Sequence, residues 1–93
     1  MTFSIFWKPD AEEHLAAVWL STPDRNAVTR DAHELELVLE VFPSAVGEVS
    51  FDTVREYTFG SLTVEYEVYE QEKQVLIMDV WSTASGRPEV TGN

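Results

Sequence analysis

The chain has 93 residues, 17 of them Asp or Glu against 6 Lys or Arg, for a formal net charge of −11. That length accommodates one domain with one core, and 44% apolar with 12% aromatic residues is enough to pack it, which argues against wholesale disorder. The acidity argues against nucleic acid and anionic lipid as partners, because Lys and Arg supply most of the affinity for both.

Taken in chain order, Thr2 to Trp7 alternates, with Phe3, Ile5 and Trp7 on one side, and predicts a strand ended by Lys8–Pro9. A helix follows, with Asp10 as its expected cap and Glu13 in the reciprocal capping position. Ala11, Leu15, Val18 and Trp19 form its apolar stripe. Thr22 reads as the cap of a second helix and Pro23 as its first residue. This helix runs to about Phe42, with Val28, Ala32, Leu35, Val38, Leu39 and Phe42 on its buried side. The short turn between the two makes an antiparallel hairpin. Pro43 to Ser50 is expected to be an irregular connection.

Three strands then close the domain. The first is Thr53 to Phe59, and Gly60–Ser61 is a two-residue hairpin signal of the II′ kind. Leu62 to Tyr69 alternates, placing Leu62, Val64, Tyr66 and Val68 opposite Thr63, Glu65, Glu67 and Tyr69. Val75 to Trp81 is apolar on both faces except for Asp79, which predicts a central strand. The expected core is Leu15, Val18, Trp19, Leu35, Leu39, Val64, Tyr66, Met78 and Val80. Thr83 to Asn93 has no periodicity and reads as a flexible tail. The fold class is α+β, in one domain over residues 1–82 with a four-stranded sheet.

The residues that carry chemistry are few. Arg55 is the only strand arginine, suited to clamping a phosphate or a partner carboxylate, or to an ion pair with Glu65 or Glu67. Glu65, Glu67 and Asp79 are expected to share the sheet face away from the helices, as a solvated acidic surface with no metal site. Such a surface repels RNA. Trp81 and Tyr57 are aromatic candidates for partner anchors or rim packing, and Tyr69 is treated alike. His14 and His33 lie on helices with no second His or Cys at ligand spacing, and read as exposed surface. No cofactor is expected. There is no cysteine, which excludes disulfides and thiol chemistry and fits a reducing cytosol. Met1 to Ser4 is not a signal peptide, and no stretch is long and apolar enough to span a membrane, so a cytoplasmic protein is expected.

Four local strings carry a resemblance. They are Trp7–Lys8–Pro9–Asp10–Ala11–Glu12–Glu13–His14–Leu15, then Phe42–Pro43 with Gly47–Glu48, then Val54–Arg55–Glu56–Tyr57 with Leu62–Thr63–Val64–Glu65–Tyr66–Glu67–Val68, and last Val75 to Trp81. In that order, over residues 3–82, the chain resembles the RelE/ParE toxin superfamily of bacterial type II toxin–antitoxin systems, associated with plasmid stabilisation. The resemblance implies a toxin that either cuts messenger RNA on the ribosome or binds and inhibits DNA gyrase. The ribonucleases of the family use basic residues on the last three strands and a basic, His or Tyr residue after the final one. Here the arginine early in the second of these strands falls on Thr63, and Ser82 to Gly86 holds no His, Tyr or Lys. Binding is therefore favoured over cleavage. A nontoxic interaction module is the alternative, and an acid/base ribonuclease using Arg55 with Glu48 or Glu65 is a third reading. The implied partner is a cognate antitoxin. Antitoxins of the family commonly place an acidic segment on a basic toxin; the reversed charge here implies a basic docking segment near Glu65, Glu67, Asp79 and Trp81. Homo-oligomerisation stays open.

Overall fold

The computed structural model describes residues 2–87, in which seven elements follow one another. They are β1 (Ser4–Trp7), α1 (Pro9–Ser21), α2 (Arg25–Val41), β2 (Glu48–Phe51), β3 (Val54–Phe59), β4 (Leu62–Tyr69) and β5 (Gln74–Ser82). The strands form one sheet in the order β1-β5-β4-β3-β2. β1 runs parallel to β5, and the other neighbours are antiparallel. The α+β class, the leading strand, the two helices and the central place of β5 are as the sequence implied. No helix among the described residues is long and apolar enough to cross a membrane.

The helices cover one sheet face. Ala11, Val28, Leu35 and Leu39 from the helices meet Leu62, Val64, Tyr66, Val75, Ile77 and Val80 from β4 and β5. On β4 the residues recur at period two because alternate side chains face the helices, whereas on β5 the step from Ile77 to Val80 is three. β1 is tied to α2 as well, since Phe3 N donates to Glu40 O at 2.8 Å.

The helix starts differ from expectation. α1 begins at Pro9 with Lys8 as its cap residue and no side-chain capping bond. Proline suits the first helical position, where its fixed φ is helical and its missing N–H has no partner to lose. Asp10 therefore lies inside the first turn, where it acts on the helix dipole together with Glu12. α2 begins at Arg25 and its cap is Asp24, whose Oδ1 accepts from Ala27 N at 3.1 Å. Thr22 ends α1 instead, leaving Pro23 in the linker. Two expected stripe residues lie at the border: Trp19 is 38% exposed and Phe42 56%. Trp19 Nε1 donates to Thr29 Oγ1 at 3.1 Å, and the Arg25 guanidinium lies 4.7 Å from its ring centre.

The sheet has five strands, not four. β2 arises from a segment expected to be irregular and pairs with β3 along an edge. All four of its residues are exposed, so no buried side imprints a pattern on the sequence. Its approach to β3 requires Gly47, whose φ is +72° and whose added Cβ would stand 2.5 Å from the Glu56 carbonyl oxygen.

The β3–β4 turn is the two residues Gly60 and Ser61, as expected. Gly60 has φ +58°, and a Cβ there would stand 2.6 Å from Asp31 Oδ2. Asp31 is the reason. This α2 carboxylate is 5% exposed and accepts from Ser61 N at 2.9 Å and Ser61 Oγ at 2.7 Å, locking the helix to the hairpin turn.

One irregularity re-aims the central strand. Glu65 pairs with Asp79 but Tyr66 pairs with Ile77, so Met78 is an extra residue in β5. Met78, expected in the core, is only partly buried, while Ile77 takes a fully buried place.

Candidate functional site

The sheet face away from the helices is where most of the expected site residues meet. Glu48 pairs with Glu56, and Glu56 with Glu65, so three carboxylates stand in one row across β2, β3 and β4. Glu67 lies two residues further along β4 on the same face. It accepts hydrogen bonds from Thr53 Oγ1 and Tyr69 Oη. Those two bonds, with the charge of nearby Lys8, outweigh partial burial and hold its carboxyl below the usual range. No group of three or more His, Asp or Glu among the described residues is placed to hold a metal ion.

Asp79 does not join this row, although its backbone pairs with Glu65. The extra residue at Met78 turns it toward α1, where Asp79 Oδ1 accepts from His14 Nδ1 at 2.6 Å and from its own neighbour Val80 N at 2.8 Å. His14, expected as exposed helix surface, thus has a partner 65 residues away, and no local pattern joins the two. The bond to Asp79 raises the His14 pKa above 6.5 against the opposing effect of burial, and the charges of Asp79, Asp10 and Glu13 add to the rise. A raised histidine pKa contributes stability that is present below about pH 6.5 and is lost as pH climbs through the folded value. His14→Ala is therefore expected to cost at most about 1 kcal/mol at pH 6, as for an exposed pair. The difference from wild type should shrink toward pH 8 in paired urea titrations. A gap that widens with pH would contradict the contact.

Arg55 and Tyr57 lie on the other side of the sheet. Arg55 pairs with Tyr66 and Tyr57 with Val64, both of which face the helices. Arg55 Nη2 donates to Val46 O at 3.1 Å and Gly47 O at 3.4 Å, and its Nε is buried without a partner among the described residues. Tyr66 Oη donates to Pro43 O at 2.8 Å and reaches Val46 O at 3.1 Å. Together they pin the α2–β2 connection. In this position Arg55 faces away from Glu65 and Glu67, and among the described residues it forms no ion pair with either.

Trp81 is 5% exposed and pairs with Thr63, on the face of the acidic row. It is covered by the segment expected to be a tail. Thr83 N donates to Ser61 O at 2.9 Å, Thr83 Oγ1 and Thr63 Oγ1 share a bond of 3.0 Å, and Gly86 N donates to Ser82 O at 3.0 Å. Residues 83–87 thus turn back onto the sheet; residues 88–93 lie outside the described residues. Arg87, which no motif or period marks, pairs with Glu65 and stacks 5.3 Å from the Trp81 ring centre. The only hint was a lone cation in a segment with no other basic residue.

No protein-family model matches this chain. No curated protein matches its sequence. Solved structures do match. A chain of the toxin–antitoxin complex RelBE2 from Mycobacterium tuberculosis superposes with a TM-score of 0.75 at 16% identity, over 90% of this chain and 94% of that one. A chain of the chromosomal ParDE toxin–antitoxin system from P. aeruginosa gives 0.66 at 18% identity, over 86% and 95%. The archaeal RelE–RelB complex from Pyrococcus horikoshii gives 0.65 at 18% identity, over 95% and 100%. The fold is the one found in RelE and ParE toxin–antitoxin proteins, in agreement with the motifs of the sequence.

Proposed function

We propose that this chain is the toxin-type member of a toxin–antitoxin pair, and that it acts by binding a protein rather than by cleaving RNA. One observation carries the second half. The helix-free face bears the carboxylate row Glu48, Glu56 and Glu65 together with Glu67, and the arginine that lies on it, Arg87, is already paired. Arg55 is turned to the opposite side and bonded to main-chain carbonyls. A phosphodiester meets repulsion there, and among the described residues no unpaired arginine lies on that face to clamp it. The first half rests on the shared fold and on a face suited to a basic docking segment of a cognate antitoxin.

The experiment is expression of the chain with and without the product of its neighbouring gene. Growth arrest without messenger RNA cleavage, relieved by that product, is the expected result. Cleavage of messenger RNA would overturn the binding mechanism. Binding of the partner without any growth arrest would instead select a nontoxic interaction module.

The charge reading has its own test in binding kinetics. Glu48→Lys combined with Glu56→Lys changes exposed or partly exposed carboxylates and is expected to slow association several-fold at low salt and to flatten its salt dependence. Complementary charge acts mainly on encounter rate and orientation. An association rate indifferent to salt and to both changes would mean that the acidity serves solubility alone.

A further inference from the structure

Glu65 is set apart from the other carboxylates of the row because it is out of water, at 5% exposure. Its cross-strand neighbours are Glu56 and Asp79. The Asp79 side chain is turned to His14, so Glu56 is the carboxylate beside it, and a buried carboxylate next to another calls for a cation bonded directly to it. Among the described residues, its hydrogen-bond partner is Arg87 Nη2. The Arg87 guanidinium also lies 5.3 Å from the Trp81 ring centre, and Trp81 is itself 5% exposed.

A buried acid beside an indole face is a cradle for one chemical group. A guanidinium offers donors to the carboxylate and a flat, weakly hydrated surface to the ring at the same time; an ammonium offers charge without the plane. The cradle is fixed and its occupant is not. Glu65 and Trp81 belong to neighbouring interior strands of the sheet, β4 and β5. The Arg87 side chain is 51% exposed, and it follows Gly86, whose φ is +75° and which has open space where a Cβ would be.

We propose that Glu65 and Trp81 form an arginine-recognition pocket, held in cis by Arg87 and yielded to an arginine of the partner's basic segment. This rests on the reading that the helix-free face receives such a segment, and it names the residue that the segment must contain. Exchange of one guanidinium for another keeps Glu65 paired throughout. A tethered arginine competes at roughly millimolar effective concentration. An occupancy of about nine in ten would lower the apparent partner affinity about tenfold.

The test is chemical rescue of the full chain. Arg87→Ala is expected to melt at a lower temperature than wild type. N-acetylarginine amide at about ten times the millimolar effective concentration should restore much of that loss. It should do nothing for wild type or for a Glu65→Gln/Arg87→Ala double variant, and N-acetyllysine amide should not replace it. Melting of Arg87→Ala together with wild type, or equal rescue by the lysine compound, overturns the pocket. Where Arg87→Ala fails to fold, Arg87→Lys takes its place, with rescue by arginine amide again expected. A second measurement tests the exchange: Arg87→Ala should bind the neighbouring gene product several-fold more tightly than wild type. Unchanged or weaker binding overturns the exchange. The rescue needs no partner, so its failure is distinguishable from failure of the toxin reading.

Discussion

Leu39→Ala is expected to lower the unfolding free energy by about 2–5 kcal/mol, the loss of buried methyl groups plus the cavity they leave. Leu39 is fully buried near the end of α2, on the stripe that includes Val28 and Leu35. It stands four residues after Leu35, which is about one helical turn. The stripe packs on a sheet whose inner side chains Val64, Tyr66 and Ile77 are also fully buried. Strands held by ladders on both sides relax little, so the cavity should persist rather than collapse. The same change at Leu37, which is 48% exposed on the outer side of α2, should stay within about 0.5 kcal/mol. Urea denaturation of the two variants at pH 7 gives the comparison. Near-equal effects would mean that α2 docks through a different side.

Asp31→Ala should cost about 2–3 kcal/mol, at the scale of hydrogen bonds to a charged group. The substitution strips the Ser61 amide and hydroxyl of their shared acceptor and breaks the link between α2 and the β3–β4 turn. It also removes a contact with Arg30 Nε at 3.5 Å. Relief of the buried charge offsets part of this loss, which keeps the figure below the sum of two charged bonds. The pH dependence gives an independent check. Burial pushes the Asp31 carboxyl upward, but the Ser61 bonds and the Arg30 charge together hold it below its ordinary 3.8. A lowered carboxylate contributes stability that is present above the unfolded value and is lost as pH falls through the folded one. The wild-type advantage over Asp31→Ala should thus be constant from neutral pH to about pH 5 and shrink at more acidic pH. Glu67 titrates downward in the same sense in both proteins and cancels from the difference. An advantage that grows on acidification would refute the assignment.

The other face of the same hairpin accounts for the acidic row. Like charges directly opposite one another weaken a sheet. Here Glu48, Glu56 and Glu65 are in register, and only Glu65 is buried. That arrangement costs stability unless a cation answers it. Arg87 answers it at Glu65, whereas Glu48 is exposed and left to solvent.

Local order and face were legible in the sequence wherever a buried side imposed a period. The alternation of Leu62 to Val68 identified β4 and its inner residues. The recurrence of Val28, Leu35 and Leu39 identified the buried side of α2, and Gly60–Ser61 identified the turn. β2 was not legible, because a strand exposed on both sides leaves no hydrophobic trace. The composition of the site was legible in part. Glu65, Glu67 and Trp81 share one face by parity within their strands, but Arg55 and Asp79 do not join them. For Arg55 the deciding fact is its pairing with Tyr66 rather than with a glutamate. Parity within β3 is set by sequence; which residue it meets on β4 is set by the turn. For Asp79 the deciding facts are its place beside the extra residue at Met78 and its bond to His14 on α1, which draws its side chain away from the row. Arg87 and His14 found their partners 22 and 65 residues away. Such pairs follow no period, because a charge is satisfied by whatever the folded chain brings within reach, and only the tertiary structure decides that.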